Sequence, residues 1–300
     1  MADADLEEVP CNMCGSSKPR AHKLFSKNGL WVTRCRKCHL VYVNPRPVQS
    51  RLWERYSEEY FTKEYLPAYG DFNPEANLSR HMGILNAIDR YRQTNCLMDA
   101  GCAVGFFLDA ARRRGWDVCG VEVSEYAAKY GRERLGLNIV NSTLEDAGLT
   151  PGSFDVITLG DTLEHLRDPA GTLRAVSRLL RAGGLAYIST PNFNSLNRLL
   201  FGRRWGVIGP TEHIYYFTPR TITQLLTKSG LAPTSVTTGS INTYHYLRGN
   251  VDEKVLKVYD AIVRRARPLV EPLIRAFRIG DGLEVFAIKR GYVHARPSSS

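Results

Sequence analysis

The sequence has no run of 18 or more apolar residues, and its first ten residues are acidic rather than basic and then apolar. A helix that crosses a bilayer needs about 20 mostly apolar residues, and a secretory signal has a basic start before its apolar core. The sequence therefore predicts neither a transmembrane helix nor a secretory signal, and we expect a cytoplasmic protein. There the seven cysteines stay reduced, which favours metal ligands or core positions over disulfides.

The basic residues are not concentrated in one block, although 40 lysines and arginines against 30 acidic residues leave a net charge of +10. A moderately basic surface suits an anionic substrate, a nucleic acid or a membrane surface, and the charge alone selects none of them. With 43% hydrophobic and 23% charged residues, the composition is that of an ordinary globular protein. The 300 residues are enough for one large domain and a small appendage.

Four of the cysteines form two Cys-x-x-Cys pairs that are separated by twenty residues. This spacing is typical of a zinc ribbon and disfavours four unrelated cysteines. Because four thiolates fill a tetrahedral shell, the predicted Zn²⁺ is structural, and the neighbouring His39 is not expected to bind it. The predicted ribbon covers residues 1–48, with Cys11, Cys14, Cys35 and Cys38 as ligands.

The pattern of residues 49–95 indicates a helical linker rich in aromatic residues, with a second helix predicted over 75–92. Aromatic stripes at helical spacing are usually core, and this interpretation is favoured here. The alternative is a lid over a ligand pocket, from which Tyr60 or Tyr65 reaches the substrate.

From Cys96 onwards, short apolar strands alternate with helices, which predicts a parallel sheet with helices on both faces. A ligand is then expected at the carboxyl ends of the strands. Before the last strand we predict a helical insertion at about 240–280, in which Pro268 and Pro272 interrupt a helix. The polar tail at 291–300 is predicted to be disordered. The predicted strands are 97–99, 117–123, 138–140, 154–159, 185–190, 232–238 and 283–289.

The stretch 97–105 indicates a buried strand that enters a turn with the motif Asp-x-Gly-x-x-x-Gly. Glycines let a ligand approach the backbone, and the helix end that follows presents unpaired N–H groups. The dinucleotide motif Gly-x-Gly-x-x-Gly is absent, because Ala103 and Phe106 occupy its later glycine positions. The motif therefore favours an adenosine-type ligand, with an ordinary tight turn as the alternative.

Two further positions suit the same ligand. Glu122 ends the second strand 23 positions after Asp99, where an acid can accept both hydroxyls of a ribose. A solvated carboxylate at a strand end is the alternative. After the third strand, residues 142–146 offer an apolar side chain and carboxylates that suit an adenine ring and its amino group.

Three more motifs follow in order: a segment with Glu-His at 160–169, a Gly-Gly turn at 179–184, and Thr-Pro-Asn at 190–192. Together they make residues 96–290 resemble class I S-adenosylmethionine (SAM)-dependent methyltransferases. The resemblance implies a Rossmann-like, seven-stranded, mostly parallel sheet and SAM as the methyl donor. The implied cofactor-binding residues are Asp99, Gly101, Cys102, Gly105, Phe106, Glu122, Val123, Leu144, Glu145, Gly160 and Asp161.

With a zinc ribbon and an aromatic linker in front, the chain resembles deoxysugar C-methyltransferases and related enzymes of natural-product and polysaccharide pathways. In that group a Glu-His pair after the fifth strand serves base chemistry, which implies Glu212 and His213 here. A histidine that titrates near neutrality can remove a substrate proton, and a neighbouring acid can orient it or tune its charge. The alternative is a loop histidine that caps the helix beginning near Thr218. The sugar enzymes carry a further C-terminal domain that this sequence does not contain.

Asp161, Glu164 and His165 have i, i+3, i+4 spacing, which places them on one helix face where they could hold a divalent cation. Similar quinone-pathway O-methyltransferases use this region in that way. The favoured interpretation is that His165 packs beside the cofactor.

Residues 263–278 alternate five arginines with apolar residues. Such a helix can lie on a membrane surface or meet a lipid-linked substrate. The favoured alternative is an amphipathic helix that packs on its own domain or on the second subunit of a homodimer.

Three function classes compete, and a methyltransferase that acts on an oxygen, nitrogen or carbon atom of a small molecule is favoured. The expected acceptor is a sugar, a nucleotide-sugar or another natural-product intermediate, anionic or lipid-linked. A nucleic-acid methyltransferase is disfavoured, because the fourth strand ends in Gly160-Asp161-Thr162 rather than in an Asn/Asp-Pro-Pro-aromatic motif, and no basic cluster is interleaved with aromatics. A non-catalytic binding protein is the third class. In the favoured class, His213 is the predicted base, and a tyrosine such as Tyr60 helps to hold the acceptor.

Overall fold

The structure is a computed structural model that describes residues 5–17, 21–69, 72–239, 241–242, 247 and 249–290. The tail predicted at 291–300 lies outside the described residues, as do some positions of the predicted insertion between 240 and 248. Among the residues described, no helix combines the length and the apolar composition that crossing a bilayer requires.

The predicted seven-stranded sheet is confirmed. Its spatial order is β12-β13-β10-β9-β6-β7-β8, and β13 alone runs antiparallel to its neighbours. The strands are β6 (Cys96–Ala100), β7 (Asp117–Glu122), β8 (Ile139–Asn141), β9 (Phe154–Gly160), β10 (Leu180–Pro191), β12 (Leu231–Thr238) and β13 (Gly282–Lys289). The strand predicted at 185–190 begins earlier, because Leu180 already pairs with Phe154 before a bulge in the register.

Strand β6, in the interior of the sheet, shows why the sheet is covered on both faces. Successive side chains of a strand point to opposite sides, so Leu97 joins one apolar cluster while Met98 and Ala100 join the other. The helices that supply these clusters are α4 (Pro74–Ile88), α5 (Phe106–Arg113), α6 (Glu125–Leu135), α7 (Pro169–Leu179) and α9 (Pro219–Lys228). Helix α4 ends at Ile88, four residues before the predicted end, and one 3₁₀ turn follows it.

Helix α9 begins with a capping box, a local sequence signal for a helix start. The Thr218 hydroxyl accepts the Thr221 N–H while the Thr221 hydroxyl accepts the Thr218 N–H, and Pro219 occupies the first turn. The residue that caps this helix is therefore Thr218, and the alternative role considered for His213 as its cap is wrong.

The insertion before the last strand contains α10 (Glu253–Phe277), and the predicted interruption of this helix is wrong. Pro268 and Pro272 are four positions apart, so both lie on one exposed side of the helix. Each proline removes one backbone hydrogen bond. The opposite side stays packed through Leu256 and Ile274, which are buried on either side of the two prolines.

The amino-terminal ribbon forms a second, four-stranded sheet in the order β11-β4-β3-β2. Its strands are β2 (Ala21–Lys27), β3 (Leu30–Cys35), β4 (Val41–Val43) and β11 (Tyr215–Tyr216), while β1 (Leu6–Glu7) pairs separately with β5 (Arg46–Pro47). Strand β11 comes from the large domain, so the ribbon sheet contains a piece of that domain. The two parts also share one apolar cluster.

Short helices connect the ribbon to the large domain. These are α1 (Gln49–Glu54), α2 (Glu58–Tyr60), a π-helical turn (Phe61–Tyr65) and α3 (Leu66–Tyr69), with α8 (Leu196–Phe201) following β10. Phe61 is buried against Tyr126 of α6, with a ring separation of 6.1 Å. The aromatic linker thus lies over the amino ends of α5 and α6, and we call α1 to α3 the lid segment.

Candidate active site

The carboxyl ends of the parallel strands border a cavity of about 690 Å³. The lid segment and the loop before β11 close its other sides. Fourteen of the fifteen residues predicted to act in catalysis or cofactor binding line this cavity. They are Asp99, Gly101, Cys102, Phe106, Glu122, Val123, Leu144, Glu145, Gly160, Asp161, His165, Glu212, His213 and Tyr60.

Gly105 is the exception, since it does not line the cavity. Its φ of 89° is left-handed, and a Cβ at this position would lie 2.5 Å from the Leu137 side chain. Gly101 also has a positive φ of 73°, and a Cβ there would meet the Thr162 side chain at 2.6 Å. Both glycines are therefore required by backbone conformation and by close packing within the protein.

Glu122 holds the glycine turn in place at the end of β7. Its carboxylate accepts the N–H of Ala103 at 2.9 Å and the N–H of Ser124 at 2.8 Å. Burial raises the pKa of Glu122, and the backbone N–H groups oppose this shift. A buried carboxylate at this position can accept further hydroxyl donors from a ligand.

Asp99 is the second buried carboxyl group of the site. The hydroxyl of Thr158 on β9 donates to it at 2.6 Å, and burial raises its pKa to about 7. Thr158 was not predicted from the sequence. Because β6 and β9 are adjacent parallel strands, Thr158 lies directly beside Asp99 in the sheet.

The side of the cavity after β8 combines an apolar and an acidic residue. Leu144 is buried, whereas Glu145 is exposed and accepts the Thr172 hydroxyl at 2.6 Å. Val123 is 39% exposed and lines the same cavity. Two apolar side chains beside a carboxylate suit a flat ring that carries an amino group.

Two histidines lie in edge-to-face contact, with the ring centroids of His165 and His213 4.6 Å apart. Nδ1 of His165 is 3.1 Å from the carbonyl oxygen of Glu212, and Nδ1 of His213 is 2.8 Å from that of Val207. A carbonyl oxygen only accepts, so Nδ1 carries the proton in each ring and Nε2 has a free lone pair. Burial lowers both pKa values, that of His165 to about 3 with a further contribution from His213.

Glu164 lies beneath this pair and is 2% exposed. Its carboxylate accepts the Thr190 hydroxyl at 2.8 Å, and burial, followed by the charge of Asp161, raises its pKa to about 8. Ligand atoms of Glu164, His165 and His213 lie within 4.8 Å of one another, a group that could hold a metal ion. The predicted helical trio differs, because Leu163–His165 is a 3₁₀ turn and Asp161 is not part of this group.

The Glu212 carboxylate does not orient the His213 ring, which was one of the two roles predicted for it. In agreement with the other role, its charge opposes the lowering of the His213 pKa. The carboxylate forms an ion pair with Arg55 of the lid segment at 3.5 Å, and the Val207 carbonyl orients the His213 ring instead. The Arg55 guanidinium also lies 4.3 Å from the centre of the Tyr60 ring and pairs with Glu64 at 2.8 Å. Arg55 thus links the lid to the histidine loop, a role that no motif in the sequence indicates.

The lid is also attached to the segment that follows β7. The Ser124 hydroxyl, which follows Glu122, donates to the carbonyl of Tyr56 at 2.8 Å. The Tyr56 ring makes an edge-to-face contact with His165 at 6.2 Å and with Tyr60 at 6.3 Å. Aromatic side chains therefore cover the histidine pair from the lid side.

The four predicted zinc ligands lie close together in the ribbon. The Sγ atoms of Cys11 and Cys38 are 3.4 Å apart, those of Cys14 and Cys35 are 3.6 Å apart, and all four lie within 4.8 Å. A Zn–S distance of about 2.3 Å places tetrahedral sulfurs roughly 3.8 Å apart, so the set fits this ion. His39 is exposed and outside the set.

Residues 73–236 match the family described as a methyltransferase domain, which is more than half of the chain. The chain belongs to this methyltransferase family. A ubiquinone biosynthesis O-methyltransferase from Thiobacillus denitrificans is 35% identical over 130 residues, which are 41% of this chain and 53% of that protein. One from Aeromonas salmonicida is 36% identical over 104 residues, 33% of this chain and 44% of that protein. This chain spans about half the length of these curated relatives.

Solved structures agree on the fold of the methyltransferase domain. A SAM-dependent methyltransferase from Thermotoga maritima covers 80% of this chain and all of its own, with a TM-score of 0.54 and 18% identity. One from Archaeoglobus fulgidus covers 78% of this chain and all of its own, with a TM-score of 0.53 and 20% identity. At these identities, the likeness concerns the fold alone.

Proposed function

We propose that this protein transfers a methyl group from SAM to a hydroxyl group of a small molecule. The observation that carries the proposal is the combination in one cavity of two buried carboxyl groups beside a glycine turn with two neutral histidines. SAM, when bound, supplies the electrophilic methyl group. Asp99 and the turn would hold its methionine part, Glu122 its ribose, and Leu144 with Glu145 its adenine.

We further propose His213 as the base. Its lowered pKa keeps the ring neutral at pH 7, and its Nε2 lone pair can take the proton from an acceptor hydroxyl. The charges of Glu212 and Asp161 favour the imidazolium that this transfer creates. His165, held in the same tautomer, can orient the acceptor beside it.

The acceptor proposal rests on the cavity walls and on the relatives. Tyr56, Tyr60 and Tyr65 line the cavity opposite the sheet, which suits a flat, aromatic acceptor with a hydroxyl group. The curated relatives named above are O-methyltransferases. Both observations support oxygen rather than the sugar carbon that the resemblance to deoxysugar enzymes implies.

The test is transfer of labelled methyl from SAM to a panel of phenols, catechols and sugars by the full chain. We expect labelled product with at least one hydroxylated aromatic, and about a hundredfold lower turnover for His213→Asn. Lys129→Gln serves as the control, because Lys129 is an exposed residue of α6 and does not line the cavity. Labelling confined to sugars would overturn the acceptor class, and unchanged turnover of His213→Asn would overturn the base.

A structural zinc ion in the ribbon is the second part of the proposal. The four thiolates leave no open ligand position, so we assign the ion no role in the reaction. The geometry of the sulfurs supports this assignment, and metal content tests it.

A further inference from the structure

Most of the large apolar side chains that solvent reaches lie on α10. Of ten exposed large hydrophobic residues in the described part of the chain, six belong to α10 and two to α8. At 100° per residue, the six α10 side chains fall on one side of the helix. This α10 stripe consists of Val255, Val258, Ile262, Leu269, Leu273 and Phe277, each 50–80% exposed.

A different side of α10 holds the helix on the domain. Leu256 and Ile274 are buried there. The Tyr259 hydroxyl donates to Asn197 of α8 at 2.9 Å, and its ring lies 5.1 Å from that of Phe201. The stripe is therefore not needed for intramolecular packing, although it extends about 33 Å along the helix axis.

The two segments that carry these exposed apolar side chains, α10 and α8, have a net positive charge. Residues 252–278 contain seven basic and four acidic side chains, and residues 196–204 of α8 and its turn contain three arginines and no acid. The two segments thus contribute +6 of the net +10 of the whole chain. Lys254 and Arg265 border the stripe on one side, within about 40° of Val258 around the helix axis. The other five basic side chains of residues 252–278 lie farther round the helix, and four of them, Lys257, Arg264, Arg267 and Arg275, pair with acidic residues of the same helix.

The carboxyl end of α10 lies at the same edge of the sheet as the cavity. Asn192, directly after β10, donates to the carbonyl oxygens of Arg278 at 2.9 Å and Gly280 at 2.8 Å. Ser189 of β10 lines the cavity. A surface that contacts the Phe277 end of the stripe is therefore close to the cavity side of the molecule.

We propose that the α10 stripe binds the interface of an anionic phospholipid bilayer. An amphipathic helix with apolar residues on one side and flanking lysines and arginines lies in the headgroup region, and negative lipids attract its basic side chains. A second copy fits less well, because a two-fold contact would bring the same basic surface against itself. Delivery of an acceptor from the bilayer to the cavity would rest on the proposed function, whereas lipid binding does not.

The experiment is co-sedimentation of the full chain with vesicles of phosphatidylcholine alone or with about 30% phosphatidylglycerol. We expect about tenfold stronger binding to the anionic vesicles and about fivefold to tenfold weaker binding for Leu269→Glu. Leu269 is 80% exposed, so this substitution leaves the packed side intact. Thr150→Glu, an exposed position at the other edge of the sheet, is the control with the same charge change.

Absence of binding to anionic vesicles would overturn the proposal, as would an equal loss in Thr150→Glu and Leu269→Glu. So would a wild-type dimer in sedimentation velocity that Leu269→Glu dissociates, because a second copy would then cover the stripe. SAM binding by the variants is measured alongside and needs no acceptor. Failure of lipid binding is thus separable from failure of the proposed methyl transfer.

Discussion

Glu164 is a buried carboxyl group whose proton is held by its surroundings. Burial and the nearby Asp161 raise its pKa from 4.5 to about 8. A carboxyl group with a folded pKa above its unfolded value binds its proton more tightly in the folded state. The stability that it contributes is therefore complete below about pH 4.5 and is lost as the pH rises towards 8.

Glu164→Gln removes this dependence, because glutamine has the same shape, can still accept the Thr190 hydroxyl and never ionises. We expect the substitution to increase the free energy of unfolding by more at pH 9 than at pH 6, with a difference on the order of 1–3 kcal/mol. Urea unfolding of both proteins at the two pH values, with a chelator present, measures this. An equal change at both pH values would contradict the raised pKa.

Arg55 connects the lid segment to the loop that carries His213. Replacement by glutamine breaks the ion pairs with Glu212 and Glu64, and we expect the acceptor KM to rise several-fold while SAM affinity stays constant. Because the ion pairs are partly exposed, stability should change by less than about 1 kcal/mol. Steady-state kinetics and unfolding curves check the two expectations.

Lys63→Gln is the matched control for Arg55. The pair Lys63–Glu59 lies on the same lid at 2.7 Å, but both side chains are 72% exposed and lie outside the cavity. If Lys63→Gln raised KM as much as Arg55→Gln, general loosening of the lid would explain the effect and the specific link to Glu212 would be wrong.

Individual cavity residues were predictable where they belong to a local motif. Asp99, Glu122 and Gly160 each lie at the end of a strand, and the alternation of strands and helices determines which edge they share. Arg55 and Thr158 carry no such signal. Their partners, Glu212 and Asp99, are distant in sequence and become neighbours only through the lid position and strand pairing.

At the scale of elements, the pairing of β11 with β4 connects the zinc ribbon to the histidine loop. Tyr215 pairs with Tyr42, and the Val43 N–H donates to the carbonyl of Ile214 at 2.9 Å. Residue 214 directly follows His213. The ribbon is thus expected to act as a support for the proposed base, although the ion itself has no open ligand position.

Loss of the metal should therefore destabilise the backbone hydrogen bonds of β11. For Cys35→Ser we expect the zinc content to fall from about one ion per chain to a small fraction, with faster amide exchange over 214–217. Mass spectrometry of intact protein and hydrogen exchange measure both effects. Cys119→Ser, outside the four-cysteine group, should change neither.

Two outcomes would count against this coupling. If freshly purified protein contained no zinc, the assignment of a structural zinc ion would be wrong. If amide exchange over 214–217 were unchanged after zinc loss, the ribbon would not support β11.

Pairings of two residues, such as those in β11, carry no periodicity that a sequence can display, so the link between ribbon and core was not predictable. The main strands were predictable to within a few residues, because each is an apolar run between turn signals. For α10, a local sequence signal predicted a break that the structure does not show. Both prolines lie on the exposed side of the helix, so the packed side is continuous along its length.

At the scale of the whole molecule, the lid and the sheet line one cavity, and the ribbon joins the large domain through β11, which follows the cavity residue His213. One apolar cluster runs from the ribbon cysteines through the face of the sheet that α7 and α9 cover, and another lies beneath α4 and α5. The domain boundary predicted at residue 48 stays a prediction, since the two parts share a core. The loop that carries His213 thus leads directly from the cavity to the strand that pairs with the ribbon.

The measurement that decides whether this cavity is a SAM site is calorimetric titration of the full chain with SAM. We expect saturable binding by the wild type and at least about tenfold weaker binding by Glu122→Gln, a loss of about 1.4 kcal/mol. Glu133→Gln, exposed on α6, should bind as the wild type does. No binding by the wild type, or equal affinity in Glu122→Gln, would contradict the assignment of this cavity to the methyl donor.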